Sequence, residues 1–92
     1  MNRFDPRDLQ VMIAVHEERS FVRAAEKLGV AQSGVSWRVR RLEQKLDGPL
    51  FERLQYGVRP TELGERFCAY ARRVIALLEE GEAEFARRKR SA

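Results

Sequence analysis

Ser20-Phe-Val-Arg-Ala-Ala-Glu-Lys-Leu-Gly-Val-Ala-Gln-Ser-Gly-Val-Ser-Trp-Arg-Val-Arg-Arg-Leu-Glu-Gln-Lys-Leu46 is the stretch whose reading decides the fold. Ala24, Ala25 and Leu28 recur at helical intervals up to Gly29, and Val35, Val39, Leu42 and Leu46 recur again after it. Two short amphipathic helices joined by a glycine turn have the layout of a helix-turn-helix. Between its apolar positions the second helix sets Gln32, Ser33, Ser36, Trp37 and Arg40 outward. Gln and Ser carry hydrogen-bonding ends suited to base edges, and Arg serves guanine or phosphate, so this face is equipped for a DNA major groove. A solvated helix of a small bundle would more usually carry mixed Glu and Lys there.

Upstream, Asp5 is placed to cap a helix and Pro6 fits its first position, with Leu9, Met12, Ile13 and His16 on one face and an end near Arg19. Val11, Ala14 and Val15 make the other side apolar too, which predicts cover on more than one side, by the core and by a partner. Ser20 caps the second helix, and Gly29 is suited to the left-handed turn that ends it. The third helix starts poorly: Ala31 offers no side-chain cap, and Gly34 costs the first turn about 1 kcal/mol relative to Ala.

Downstream, Asp47-Gly48-Pro49 breaks the third helix and Leu50-Phe51-Glu52-Arg53 alternates as a short strand. Gly57 marks a turn before Val58-Arg59-Pro60, so the segment reads as a small hairpin, a wing whose Arg53, Gln55, Tyr56 and Arg59 lie near a nucleic-acid backbone or minor groove. Ordinary solubility is the competing account of Arg53 and Arg59. From Thr61 to about Lys89 one long helix is predicted, with Leu63, Phe67, Tyr70, Ala71, Val74, Leu77, Leu78 and Phe85 at steps of three and four. Gly81 interrupts that seam and marks a point of fraying. Nothing else in the chain is left to cover the far end, so the seam calls for a second copy, with Phe67, Tyr70, Val74, Leu77 and Leu78 as the dimerisation residues. The expectation is a mainly α chain. Residues 1–60 form a winged helix-turn-helix of three helices and a two-stranded wing, and residues 61–92 a dimerisation helix.

Composition bounds the function. Ninety-two residues make one domain with little room for a large catalytic cleft. The formal charge of +4 suits a polyanionic partner, and its distribution is local. Arg38, Arg40, Arg41 and Lys45 cluster against Glu43 on the third helix, whereas Glu79, Glu80, Glu82 and Glu84 precede Arg87, Arg88, Lys89 and Arg90. The single cysteine, Cys68, cannot form an internal disulfide and reads as a small buried or half-buried thiol, which fits a reducing cytoplasm. No apolar run approaches a membrane span, and the first residues, Met-Asn-Arg-Phe-Asp-Pro, lack the apolar stretch of a signal peptide. His16 is the only histidine, so no His-based metal site or catalytic triad can be assembled, and no cofactor is implied.

With those residues in place, the chain resembles the N-terminal DNA-binding domain and linker helix of the LysR-type transcriptional regulators. The matching run comprises Leu9, Ser20-Phe21, Ala24-Ala25-x-x-Leu28, Val30-x-Gln32-Ser33, Val35-Ser36, Val39, Leu42-Glu43, Pro49-Leu50-Phe51-Glu52-Arg53 and Thr61-Glu62-x-Gly64. The resemblance implies a bacterial regulator that dimerises through the long helix and binds a partly palindromic operator of double-stranded DNA. It assigns Gln32, Ser33, Ser36 and Trp37 to base contact and Arg53 to Arg59 to the wing. Arg38, Arg40 and Arg41 complete the expected DNA-facing set with Arg53 and Arg59. Ala31, Gly34 and Trp37 depart from the family's usual Ser or Thr, Ala or Thr, and small polar or basic residues, so the base preference is this chain's own. Gln55 and Tyr56 stand where the wing tip is often Arg. Members of the family continue into an effector domain that these residues do not contain, which implies either a fragment or a short form without the usual inducer sensing. Molybdate-responsive regulators share a similar N-terminal winged helix, which leaves the effector class open. The competing function is a protein-interaction module pairing through the long helix, which a salt-dependent affinity for duplex DNA would exclude.

Overall fold

Asp5 opens the first helix: its carboxylate accepts the amide of Arg7 at 2.8 Å, and Asp8 returns a bond to the Asp5 amide to close a capping box. The computed structural model describes residues 4–91, with side chains through Arg88. The elements run α1 (Pro6–Glu18), α2 (Phe21–Leu28), α3 (Gln32–Leu46), β1 (Phe51–Arg53), β2 (Val58–Pro60) and α4 (Glu62–Ser91). Arg19 ends α1 in a left-handed conformation. Ser20 caps α2 through its hydroxyl, which accepts the Arg23 amide at 3.1 Å. Gly29 ends α2 with φ of 69°. Ala31 heads α3 with no side-chain cap, and Asp47 closes it.

The core is built on α1, which touches α2, α3 and α4. Met12 and Val15 are fully buried, and Val11 and Ala14 nearly so. Both apolar sides of α1 are therefore covered by α2, α3 and α4 of the same chain. From α3, Val35, Val39 and Leu42 point inward, and Leu46 packs half-buried at the end of the same line.

The wing is a two-stranded antiparallel hairpin pairing Phe51 with Pro60, Glu52 with Arg59 and Arg53 with Val58. The expected alternation over residues 50 to 53 holds only in part: Leu50 lies ahead of the strand in a bend, and both Leu50 and Phe51 are buried. The hairpin is anchored by the Val58 amide donating to the Arg19 carbonyl at 3.0 Å and by the edge-on packing of Phe51 against Phe21, with centroids 6.1 Å apart.

Thr61 starts α4. Its hydroxyl donates to the Pro49 carbonyl at 2.7 Å and accepts the Gly64 amide at 3.0 Å, so one side chain both caps the helix and ties it to the start of the wing. The helix then runs unbroken through Gly81 to Ser91, so Gly81 is no end point. One face, with Gly64, Cys68 and Ala71 buried and Ile75 half-buried, packs on the body. Phe67, one of the expected dimerisation residues, is half-buried in the single chain: it packs against the core and meets Phe4 edge-on at 5.2 Å. Among the described residues no helix is long and apolar enough to cross a membrane. Lys89 and Arg90 of the late basic cluster lie outside the described side chains.

Candidate nucleic-acid interface

The inward line of Val35, Val39 and Leu42 fixes how α3 is rolled, and the roll sets what it presents to solvent. Gln32, Ser33, Trp37 and Arg40 are exposed and Ser36 is half-buried, which brings the expected reading residues together on one face of the helix. Gly34 is exposed beside them, and a β-carbon there would meet nothing within 4 Å.

The five arginines of the expected DNA-facing set separate by their partners. Arg40 and Arg53 have no ion-pair partner among the described residues, and they share a cleft of 270 Å³ between α3 and the wing with Ser36, Glu43 and Phe51. Glu43 is occupied there by the Leu50 amide, which it accepts at 2.8 Å, and Arg53 stacks over the Phe21 ring at 5.2 Å. Arg59 makes a two-point pair with Glu52, its Nε and Nη2 at 3.2 and 3.0 Å from the two carboxylate oxygens, so the middle of the wing is close to neutral. Arg38 and Arg41 turn the other way. Arg38 donates from Nη1 to Asp8 Oδ1 at 2.8 Å, and Arg41 Nη2 lies 3.5 Å from Asp8 Oδ2.

Asp8 escaped the sequence reading. It is fully buried on α1, four residues before Met12 and seven before Val15, in line with the inward face of the helix. A carboxylate on that line needs a cation from elsewhere, and α3 supplies two. Trp37 is 53% exposed; the Arg38 and Arg41 guanidinium carbons stand 5.9 and 5.2 Å from its ring centre. The indole is thus neither folded into the core nor free in solvent.

Tyr56 and Leu54 are exposed at the tip of the wing, Tyr56 at 86%. On α4, Tyr70, Val74, Leu77, Leu78 and Phe85 are all exposed apolar residues. Among the described residues no group of His, Cys, Asp and Glu is arranged to hold a metal.

A sequence profile described as "Bacterial regulatory helix-turn-helix protein, lysR family" matches residues 6–65, more than half of the chain. The chain is similar to the HTH-type transcriptional regulator BudR of Klebsiella aerogenes, 45% identical over 71 residues that cover 77% of this chain and 50% of that protein. It is also similar to the HTH-type transcriptional regulator ArgP of Enterobacter sp. (strain 638), 46% identical over 80 residues that cover 87% of this chain and 27% of that one. The chain thus spans half or less of the length of these relatives. Among solved structures, the DNA-binding domain of BenM in complex with its catB site 1 DNA superposes with a TM-score of 0.86 at 33% identity, covering 91% of this chain and 94% of that one. CbnR, described as a LysR family transcriptional regulator, superposes with a TM-score of 0.84 at 30% identity, covering 90% of this chain and 29% of that one.

Proposed function

The chain belongs to the LysR family of bacterial regulatory helix-turn-helix proteins, and from that membership we propose that it is the sequence-specific, duplex-DNA-binding part of a cytoplasmic transcriptional regulator that acts as a dimer on a partly palindromic operator. The observation that carries this reading is the outer face of α3: Gln32, Ser33, Ser36, Trp37 and Arg40 stand together beside the cleft that Arg40 shares with Arg53 of the wing. With α3 in a major groove, Gln32 is suited to adenine, the serines to either base of a pair, and the edge of Trp37 to a thymine methyl. Arg40 and Arg53, free of carboxylates, are the first choices for phosphate, with Arg59 and the partly exposed Arg41 at the margins.

Dimerisation is proposed through α4. Tyr70, Val74, Leu77, Leu78 and Phe85 form an exposed apolar stripe about a quarter-turn from the face of the helix that the body already covers, and a second copy supplies the matching stripe by two-fold symmetry. Such a pair would present two α3 helices to two half-sites, which is the reason to expect a partly palindromic operator.

Selection of bound sites from random duplexes, followed by affinity titration across salt concentrations, tests the reading. Affinity for the selected duplex should fall steeply with salt, and Arg53→Ala should lower the log–log slope by about 1. Affinity that does not change with salt would exclude DNA as the partner.

A further inference from the structure

We propose that Asp8, on a helix that presents no reading residue, is a positioning residue for base recognition: through Arg38 and Arg41 it sets the direction in which the Trp37 indole faces the groove. The inference rests on the DNA-binding reading above. It starts from a shared use of two side chains. Arg38 and Arg41 both reach the buried carboxylate of Asp8, at 2.8 and 3.5 Å, and the same two guanidinium groups lie 5.9 and 5.2 Å from the centre of the Trp37 ring. Asp8 is itself fixed, since its carboxylate also accepts the Asp5 amide at 3.4 Å in the α1 capping box and its atoms are fully enclosed.

The geometry removes freedom in steps. An arginine on an open helix face samples many rotamers, and ordering it costs side-chain entropy. Here the α1 carboxylate has already ordered two of them. Arg41 lies one helical turn beyond Trp37 and Arg38 is its immediate neighbour, so the two planar cations border the indole on the side toward α1. With both cations beside it the ring is still 53% exposed, so part of it remains open to a ligand. A base edge meets an indole already turned to the groove, and the ordering cost of binding falls. The same bonds hold Arg38 away from phosphate, so this residue acts through Trp37 and α1.

Asp8→Asn keeps the size and one acceptor while removing the charge that gathers both arginines. Two readouts decide. In the free 92-residue chain, the emission of Trp37, the only tryptophan, should shift and become more accessible to acrylamide. On a duplex selected by the parent, and on single-base-pair variants of it, discrimination at the position read by Trp37 should fall about five- to tenfold. Binding to unrelated duplex should not weaken, because arginines released from Asp8 remain available to phosphate.

In a Trp37→Ala background Asp8→Asn should cost no further discrimination, because the residue it positions is gone. A purely structural Asp8 would instead weaken all duplexes alike and by the same factor in both backgrounds, and either result overturns the assignment. Should Asp8→Asn melt below the working temperature, Arg41→Gln replaces it, since the Asp8–Arg38 bond remains. Unchanged emission and unchanged ranking in that variant overturn the assignment equally. A parent that binds no duplex in a salt-dependent way overturns the DNA reading and this inference together. Retained, Trp37-dependent discrimination by the parent with an unaffected Asp8→Asn overturns this inference alone.

Discussion

At Gly64 a β-carbon would lie 2.1 Å from the Leu50 carbonyl oxygen and 3.3 Å from Pro60 Cβ. Both neighbours are backbone or ring atoms with no rotamer to give, so the contact between α4 and the root of the wing requires the absence of a side chain. Gly64→Ala is expected to cost about 2–4 kcal/mol, read by urea unfolding, and a loss below about 1 kcal/mol would show that the junction yields. Gly34 is the opposite case, with open space around it. Gly34→Ala should stabilise α3 by about 0.5–1 kcal/mol, and an accompanying loss of duplex affinity would place DNA backbone against that position. One turn beyond Gly64, burial pushes the Cys68 thiol above its ordinary value, with Arg72 pulling in the other direction. Thiolate is the reactive form, so alkylation should be slow in the native chain and fast in denaturant. Rapid native labelling would mean that α4 opens from α1.

At the scale of elements, α3 begins without a cap, since Ala31 offers no oxygen to the first amides. Ala31→Ser should add about 1 kcal/mol of stability, seen as a higher thermal midpoint, and no gain would show that the first turn is already satisfied by solvent. The junction of α1, α2 and α4 carries a polar cluster in which Glu17 accepts Lys27 at 2.8 Å and Arg72 at 3.1 Å, while His16 contacts Glu65 and Arg72. Those two bonds, Lys27 first, hold Glu17 below its ordinary 4.5. A depressed carboxylate stabilises the fold above its unfolded value and ceases to do so as pH falls through the folded one. The thermal midpoint of the parent should therefore drop more than that of Glu17→Gln once pH passes below 4.5, modestly, because the pair is solvent-exposed; parallel curves would show that it contributes nothing. How far these elements could be read from the chain follows from where their causes lie. Val35, Val39 and Leu42 were legible because a helical period reports its own inward face. Asp8 was not: its cations stand on α3, Arg38 being 30 residues away, and no local pattern names a partner so distant. Leu50 lies in a bend outside the strand that its sequence suggests, because four residues of pattern do not distinguish a bend that buries two neighbours from a strand that buries one.

The whole molecule is long, 53 × 30 × 18 Å, because α4 runs on past the body that α1 to α3 form. At 3.6 residues per turn, Leu63, Phe67, Tyr70, Val74, Leu77, Leu78 and Phe85 fall on one stripe, about a quarter-turn from the face that holds Gly64, Cys68 and Ala71. Spacing reveals that stripe but not where the body ends along it. The chain itself partly covers Leu63 and Phe67 and leaves the rest bare. The exposed remainder makes the dimer testable without disturbing the fold. Leu77 is 68% exposed in the single chain, so Leu77→Asp should leave helicity and the unfolding midpoint of the monomer nearly unchanged. In a paired seam the same carboxylate would be buried without a partner, weakening association by several kcal/mol, a rise in dissociation constant of at least about a hundredfold. Sedimentation velocity at micromolar concentration reads the outcome directly. The parent should sediment as a dimer and Leu77→Asp as a monomer of native circular dichroism. The monomer should keep weak, salt-sensitive affinity for duplex but lose its preference for a two-half-site duplex over a single half-site, since one α3 reads one half. A parent that is monomeric at that concentration, or a Leu77→Asp chain that still pairs, would move the dimer contact off this stripe and leave its apolar residues without the partner assigned to them.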